Sequence, residues 1–254
     1  MCIAVIGGSG LYQFLDGKTE IQNTPFGQSA PITTFQFGGK KAYFLTRHGE
    51  GHAIPPHLIN YKANIYALRE LNINHVIATN AVGSLHMDIT PGDFIIPDQL
   101  IDLTNSREST FFMGDSKPDY PVEFRKVKHT DVSYPYEGDV QQTLLNVLSK
   151  YNEIDCHTEG TYVCTNGPRF ETAAEIQMAK QAGGDIVGMT SAPECFLARE
   201  LDLDYASICL VTNYGAGMQM RITQEEVVRI FNQRIETVKE IIMECINSLI
   251  TKDY

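Results

Sequence analysis

The apolar run 2–6 empties into Gly7-Gly8-Ser9-Gly10, where glycines after a strand let backbone N–H groups approach an anion and the Ser9 hydroxyl adds a donor. It is not a dinucleotide fingerprint, which would need a third glycine where Gln13 stands. Glycines that merely make a tight turn would look the same. Arg47-His48-Gly49, with His52 after it, follows a second strand-like run. An arginine fork fits an oxyanion edge better than a lysine point charge, and a neighbouring histidine can donate to phosphate or to a sugar hydroxyl. The alternative is an exposed polar loop. His48 and His52 lack an evident third ligand and no HExxH pattern exists, so no metal is expected. Thr79-Asn80-Ala81-Val82-Gly83-Ser84 is a second anion-friendly loop or a buried strand followed by a turn. Gly188-Met189-Thr190-Ser191 and Thr212-Asn213-Tyr214-Gly215 place polar residues at two further strand ends, with Glu194 soon after the former. Asn166-Gly167-Pro168-Arg169-Phe170-Glu171 sets an aromatic ring at a helix entrance, where Phe170 either stacks on a flat ring or plugs the core.

These residues need a frame that brings strand ends together. β-rich runs are expected at 2–6, 32–37, 42–46, 75–79, 93–97, 161–165, 185–189 and 205–212, several without polar alternation, as for strands covered on both faces. Helical spacing is expected over 57–71, 139–152, 171–182, 194–201 and 224 to about 250, the last opened by Thr223 and Glu226 as a capping box. Strands interleaved with helices predict an α/β fold: one domain over residues 1–254, with a central mixed β-sheet flanked by helices. Residues 104–135 show little periodicity and are either a functional excursion or a mobile flap.

Twenty basic against 31 acidic residues give a net charge of −11, which with no basic run beyond Lys40-Lys41 argues against nucleic acid as a partner. The six cysteines, at 2, 156, 164, 195, 209 and 245, show no CxxC pairing and are expected as reduced thiols. No signal-peptide pattern or membrane-length apolar stretch is evident, so a cytoplasmic protein without a membrane partner is expected.

The order of Gly7-Gly8-Ser9-Gly10, Arg47-His48-Gly49, Asn60-Tyr61-Lys62-Ala63-Asn64, Asn80-Ala81-Val82-Gly83-Ser84, Gly167-Pro168-Arg169-Phe170-Glu171-Thr172 and Gly188-Met189-Thr190 with Pro193-Glu194 resembles the purine nucleoside phosphorylase and methylthioadenosine phosphorylase family over nearly the whole chain. Within that family the likeness is strongest to the bacterial branch acting on methylthioinosine. The resemblance implies that phosphate is held by Ser9, Arg47, His48, Ala81 and Thr190, with Met189 under the sugar, Phe170 against the base, and Asn213, Tyr214 and Gly215 around the base as well. His48 and Asn213 would be the catalytic residues. It further implies a homotrimer in which His129 reaches the 5′ end of a neighbouring subunit's ligand, although Asp131 and Ser133 depart from the related motifs. Inorganic phosphate is a co-substrate, and no metal or organic cofactor is implied.

Adenosine-type members of the family carry aspartates where this chain has Asn213 and Gly215. A carboxylate accepts from a 6-amino group but repels a 6-oxo oxygen, whereas an amide donates to the 6-oxo group and accepts from a protonated N7. The expected reaction is therefore reversible phosphorolysis of S-methyl-5′-thioinosine to hypoxanthine and 5-methylthioribose 1-phosphate. Cleavage of inosine and guanosine, or of methylthioadenosine, is the alternative, and Met220, Ile222 and Val227 either line a methylthio pocket or belong to the core. Two rivals differ in class. A nucleotide-binding module without turnover needs only the glycine turn, and a water-using nucleosidase needs a carboxylate base, for which Glu194 is the candidate.

Overall fold

The computed structural model describes residues 2–7 and 17–251. Ile3–Gly7 (β1) is fully buried, and its side chains alternate: Ile3 and Val5 enter one apolar cluster, Ala4 and Ile6 the other. Lys18–Glu20 (β2), Asn23–Thr24 (β3), Gly27–Gln28 (β4), Ile32–Phe37 (β5) and Lys40–Thr46 (β6) precede the helix Tyr61–Glu70 (α1). His75–Ser84 (β7), Phe94–Ile95 (β8) and Gln99–Asp102 (β9) lead into the irregular stretch before Asp139–Leu148 (α2). Cys156–His157 (β10), Thr161–Cys164 (β11), Ala173–Gln181 (α3), Ile186–Gly188 (β12), Ser191–Glu200 (α4), Asp204–Tyr214 (β13) and Gln224–Thr251 (α5) follow.

β6, β1, β7 and β13 lie side by side and parallel, so their C-terminal ends share one edge. β5 and β2 extend the sheet beyond β6, and β8 and β10 beyond β13; antiparallel pairs β5·β6, β2·β5 and β8·β13 make it mixed, as expected. α2 and α5 cover the face bearing Ile3, Val5, Ile77 and Ile208, while α1 and α4 cover the face bearing Ala4, Ile6, Val76 and Tyr205. β12 runs antiparallel to the end of β7, with Val187 opposite Gly83 and Ile186 opposite Ser84. β1 accompanies β7 only as far as Ala78. Between these limits, residues 79–82 have a strand neighbour on the β13 side alone among the described residues, leaving a notch in the ladder.

Several boundaries differ from expectation for local reasons. α1 begins at Tyr61 rather than His57, because Pro56–Leu58 makes a 3-10 turn and the Asn60 side chain then caps the helix by accepting the Ala63 N–H. α3 begins at Ala173 because Thr172 and Glu175 form a capping box. At α5 only half the expected box forms: Thr223 Oγ1 accepts the Glu226 N–H, but the Glu226 carboxylate accepts from Gln219 instead. Asn80 to Ser84 is strand rather than loop, since β13 pairs with it to the end. Residues 104–135 are irregular but packed: Phe111 and Phe124 are buried in the α1 and α4 core, and Phe26 meets Phe111 edge-on at 4.9 Å. All six cysteines are free thiols, and no helix among the described residues is long and apolar enough to cross a membrane.

Candidate active site

A cleft of about 740 Å³, open to solvent, lies at the notch. It falls at the carboxyl ends of the parallel strands, where α/β sheets characteristically bind ligands. Arg47, His48, Ala81, Phe170, Met189, Thr190 and Asn213, singled out on five separate segments of sequence, all line it. Ser9 lies outside the described residues. His129 is exposed on the irregular stretch, away from the cleft of its own chain.

Two residues expected around the base, Tyr214 and Gly215, do not line the cleft. The β7·β13 register slips between Val211 and Asn213, a bulge at Thr212 that sets Asn213 opposite Gly83 and aims it into the cleft. Tyr214 therefore points away, its hydroxyl donating to the Met87 carbonyl at 3.4 Å. Gly215 packs under α3, where a Cβ would stand 2.9 Å from Ile176 Cγ2, so a side chain there would enter the helix interface rather than the cleft. Of the candidate methylthio-pocket residues, Val227 lines the cleft beside Gln224, Ile222 does not, and Met220 is fully exposed.

Arg47 does not present an open fork. Its guanidinium is 1% exposed and bonded bidentately to Glu194, Nε to Oε2 at 2.6 Å and Nη2 to Oε1 at 2.7 Å. Nη1 donates to the Thr79 carbonyl at 3.1 Å and lies 3.4 Å from Asn80 Oδ1. Burial alone would ease proton loss, but the Glu194 carboxylate reverses this and holds the guanidinium above its ordinary range. Among the described residues, one Nη2 N–H is left over for a ligand, on a charge largely neutralised from behind. Glu194 is itself fully buried and also accepts the Tyr205 hydroxyl at 2.8 Å. With both oxygens engaged and no place in the cleft wall, it does not serve as the carboxylate base a nucleosidase would need.

His48 is a neutral acceptor. Its Nδ1 lies 2.8 Å from the Ile54 carbonyl, which can only accept, so the proton sits on Nδ1 and Nε2 carries a lone pair. Burial, then the Arg47 charge, then His52, stacked at 4.0 Å between ring centroids, depress its pKa to about 3. Expected as a donor to phosphate, the ring in this tautomer offers an acceptor at Nε2 instead. Because the folded pKa lies below the unfolded value of 6.5, the unfolded chain binds the extra proton, and stability is lost as pH falls from about 6.5 towards 3. Thermal unfolding across that window should show a shallower decline for His48→Gln than for the wild type; equal slopes would remove His48 as the cause.

Thr190 Oγ1 donates to Asn80 Oδ1 at 2.7 Å, and Asn80 Nδ2 donates to Ser207, so this polar wall is internally fixed. Asn213 Nδ2 donates to the Tyr214 carbonyl at 2.9 Å while Oδ1 accepts the Thr212 hydroxyl at 2.9 Å. One N–H and one lone pair of the amide remain for a ligand. Glu171, quoted in the sequence motif but given no role there, also lines the cleft, with Oε1 accepting the Thr165 hydroxyl at 2.6 Å. Its position directly after Phe170 was the available signal. One His/Asp group among the described residues has metal-like proximity, His75, Asp139 and Asp204, at the opposite strand ends. Asp204 there accepts the Val140 N–H in the first turn of α2, a helix end whose dipole opposes a cation.

A family model described as the phosphorylase superfamily matches residues 2–247. The chain is 46% identical over 247 residues to the 6-oxopurine nucleoside phosphorylase of Pyrococcus furiosus, covering 96% of this chain and 91% of that protein. It is 42% identical over 255 residues to the probable S-methyl-5′-thioinosine phosphorylase of Methanothermobacter thermautotrophicus, covering 98% and 85%. The solved structure of methylthioadenosine phosphorylase from Schistosoma mansoni with adenine matches with a TM-score of 0.91 at 35% identity, covering 99% of this chain and 92% of that one. The chain belongs to the phosphorylase superfamily, in the purine nucleoside phosphorylase and methylthioadenosine phosphorylase family. It is accordingly an enzyme of the pentosyltransferase class.

Proposed function

We propose that the chain catalyses reversible phosphorolysis of 6-oxopurine nucleosides and takes S-methyl-5′-thioinosine, yielding hypoxanthine and 5-methylthioribose 1-phosphate. What supports the base assignment above all is that Asn213 and Glu171 line the same cleft. A 6-oxopurine offers an acceptor at O6 and a donor at N1–H; the remaining Asn213 N–H matches the first and the Glu171 carboxylate the second. A 6-aminopurine reverses both, placing donor against donor and lone pair against carboxylate.

In the reaction the bond from C1′ to N9 breaks as a phosphate oxygen bonds to C1′, so the sugar becomes cation-like while electrons collect on the purine. Arg47, Ala81 and Thr190 would seat the phosphate, and His48 Nε2 would accept a hydrogen bond from a protonated phosphate oxygen or a sugar hydroxyl. As the leaving purine takes a proton from solvent at N7, the Asn213 carbonyl oxygen would accept from the N7–H so formed, lowering the cost of charge on the ring. Neither bond change calls for a redox group, and no cofactor is assigned.

Val187, Met189 and Val227 give the cleft an apolar lining suited to a methylthio group. Gln224 beside them favours a second reading, in which its amide bonds a 5′-hydroxyl and inosine or guanosine is preferred. A panel of methylthioinosine, methylthioadenosine, inosine, guanosine and adenosine, each with and without phosphate, tests both. Turnover should require phosphate and favour the 6-oxopurines, methylthioinosine first. Faster methylthioadenosine cleavage would overturn the base assignment, and product in phosphate-free buffer the reaction itself.

A further inference from the structure

Arg107 lies at the start of the irregular stretch and outside the cleft, yet it holds three of the cleft's walls. Nη1 donates to the carbonyls of Met189 at 2.9 Å and Ala192 at 2.6 Å, and Nη2 to those of Asn166 at 2.8 Å and Thr165 at 3.4 Å. Nη1 is also 3.2 Å from the Tyr61 hydroxyl, whose own proton goes to the Pro56 carbonyl at 2.9 Å. Pro56 lines the cleft; residues 165–166 lead into Phe170 and Glu171, which line it; Met189 and Thr190 line it from β12 and the start of α4. Each partner of the guanidinium is a neutral oxygen, so these bonds hold backbone in place rather than neutralise a carboxylate.

We propose that Arg107 is a positioning residue for the reaction, resting on the function proposed above. It sets the separation between the wall assigned to sugar and oxyanion, at Met189 and Thr190, and the wall assigned to the base, at Phe170 and Glu171. Only a planar fork serves here: its two ends face different segments at once, whereas a lysine ammonium is a single point that reaches one. The β11·β12 pairing ends with the Thr165 N–H donating to the Gly188 carbonyl at 2.8 Å, and beyond that point Arg107 carries the link on, from Asn166 to Met189 and Ala192.

Arg107→Ala and Arg107→Lys test this. Loosening two walls by about 1 Å at a reacting centre costs about 100-fold in rate, and the loss should fall on kcat with the KM values little changed, the pattern of an interaction felt in the transition state. Lysine should not restore it. Hydrogen exchange of the ligand-free protein should quicken in residues 165–171 and 188–192 together while α5 stays protected. Wild-type kcat in the lysine variant would overturn the proposal, as would exchange that changes in neither segment or rises equally in α5. If the wild type cleaves no purine nucleoside, the function proposed above fails, and the exchange measurement still decides whether Arg107 couples the two walls.

Discussion

Asn213→Asp is expected to invert the base preference, lowering kcat/KM for methylthioinosine and raising it for methylthioadenosine, so that their ratio shifts by about 10³-fold or more. Aspartate is nearly isosteric with asparagine, and its oxygen can still accept the Thr212 hydroxyl that Asn213 Oδ1 accepts at 2.9 Å. The change removes the N–H that would meet O6 and puts a lone pair in its place. A site built to hydrogen-bond one partner rejects the mismatched one by about 10⁴–10⁵-fold, because a buried polar group is left unpaired. The shift stays short of that ceiling, since Glu171 still opposes an N1 lone pair and the new carboxylate also loses the Tyr214 carbonyl as acceptor. Side-by-side kcat/KM values decide the matter. A ratio that moves less than about tenfold would mean that Asn213 does not read the base.

Glu194→Ala carries the largest expected effect on stability, a loss of about 3–5 kcal/mol, the range for a buried ion pair broken from one side. The variant strands the Arg47 guanidinium, 1% exposed, and orphans the Tyr205 hydroxyl. For a chain of this length that corresponds to a fall in Tm of roughly 10 °C. Glu194→Gln keeps acceptor and shape and should lose less. It should also retain phosphate-dependent turnover at a temperature where it is folded, whereas a general base replaced by an amide would abolish it. Urea unfolding of the three proteins with an assay at low temperature separates the two roles. An alanine variant as stable as the wild type would contradict the idea that this pair underpins the cleft.

The convergence of Arg47, Ala81 and Asn213 was legible because each sits near the end of an apolar strand, and parallel strands deliver their ends to one edge; Met189 and Thr190 reach the same place from β12, which runs antiparallel to β7. What those side chains do once there was not. Arg47 and Glu194 are 147 positions apart, and no spacing in sequence reveals that the fork is already occupied. The resemblance set Tyr214 and Gly215 around the base with Asn213, but the bulge at Thr212 decides which residues face the cleft, and a bulge leaves no mark on the alternation of residue types. His48 looked like a donor until the Ile54 carbonyl, six residues away across a turn, fixed its tautomer. The two-residue β10 and the four-residue β9 are too short for any periodic pattern to announce them, and β8, expected over 93–97, is too short for its limits to be set that way.

The interruption of the ladder beside β7 has one more consequence. Bare main-chain edges on a protein surface invite other strands and with them aggregation. Here the stretch without a second strand neighbour among the described residues is four residues long, lies between the paired ends of β1 and β12, and has its Thr79 carbonyl already taken by Arg47. An interruption this short, flanked by paired strands at both limits, offers no long edge for another chain to pair with.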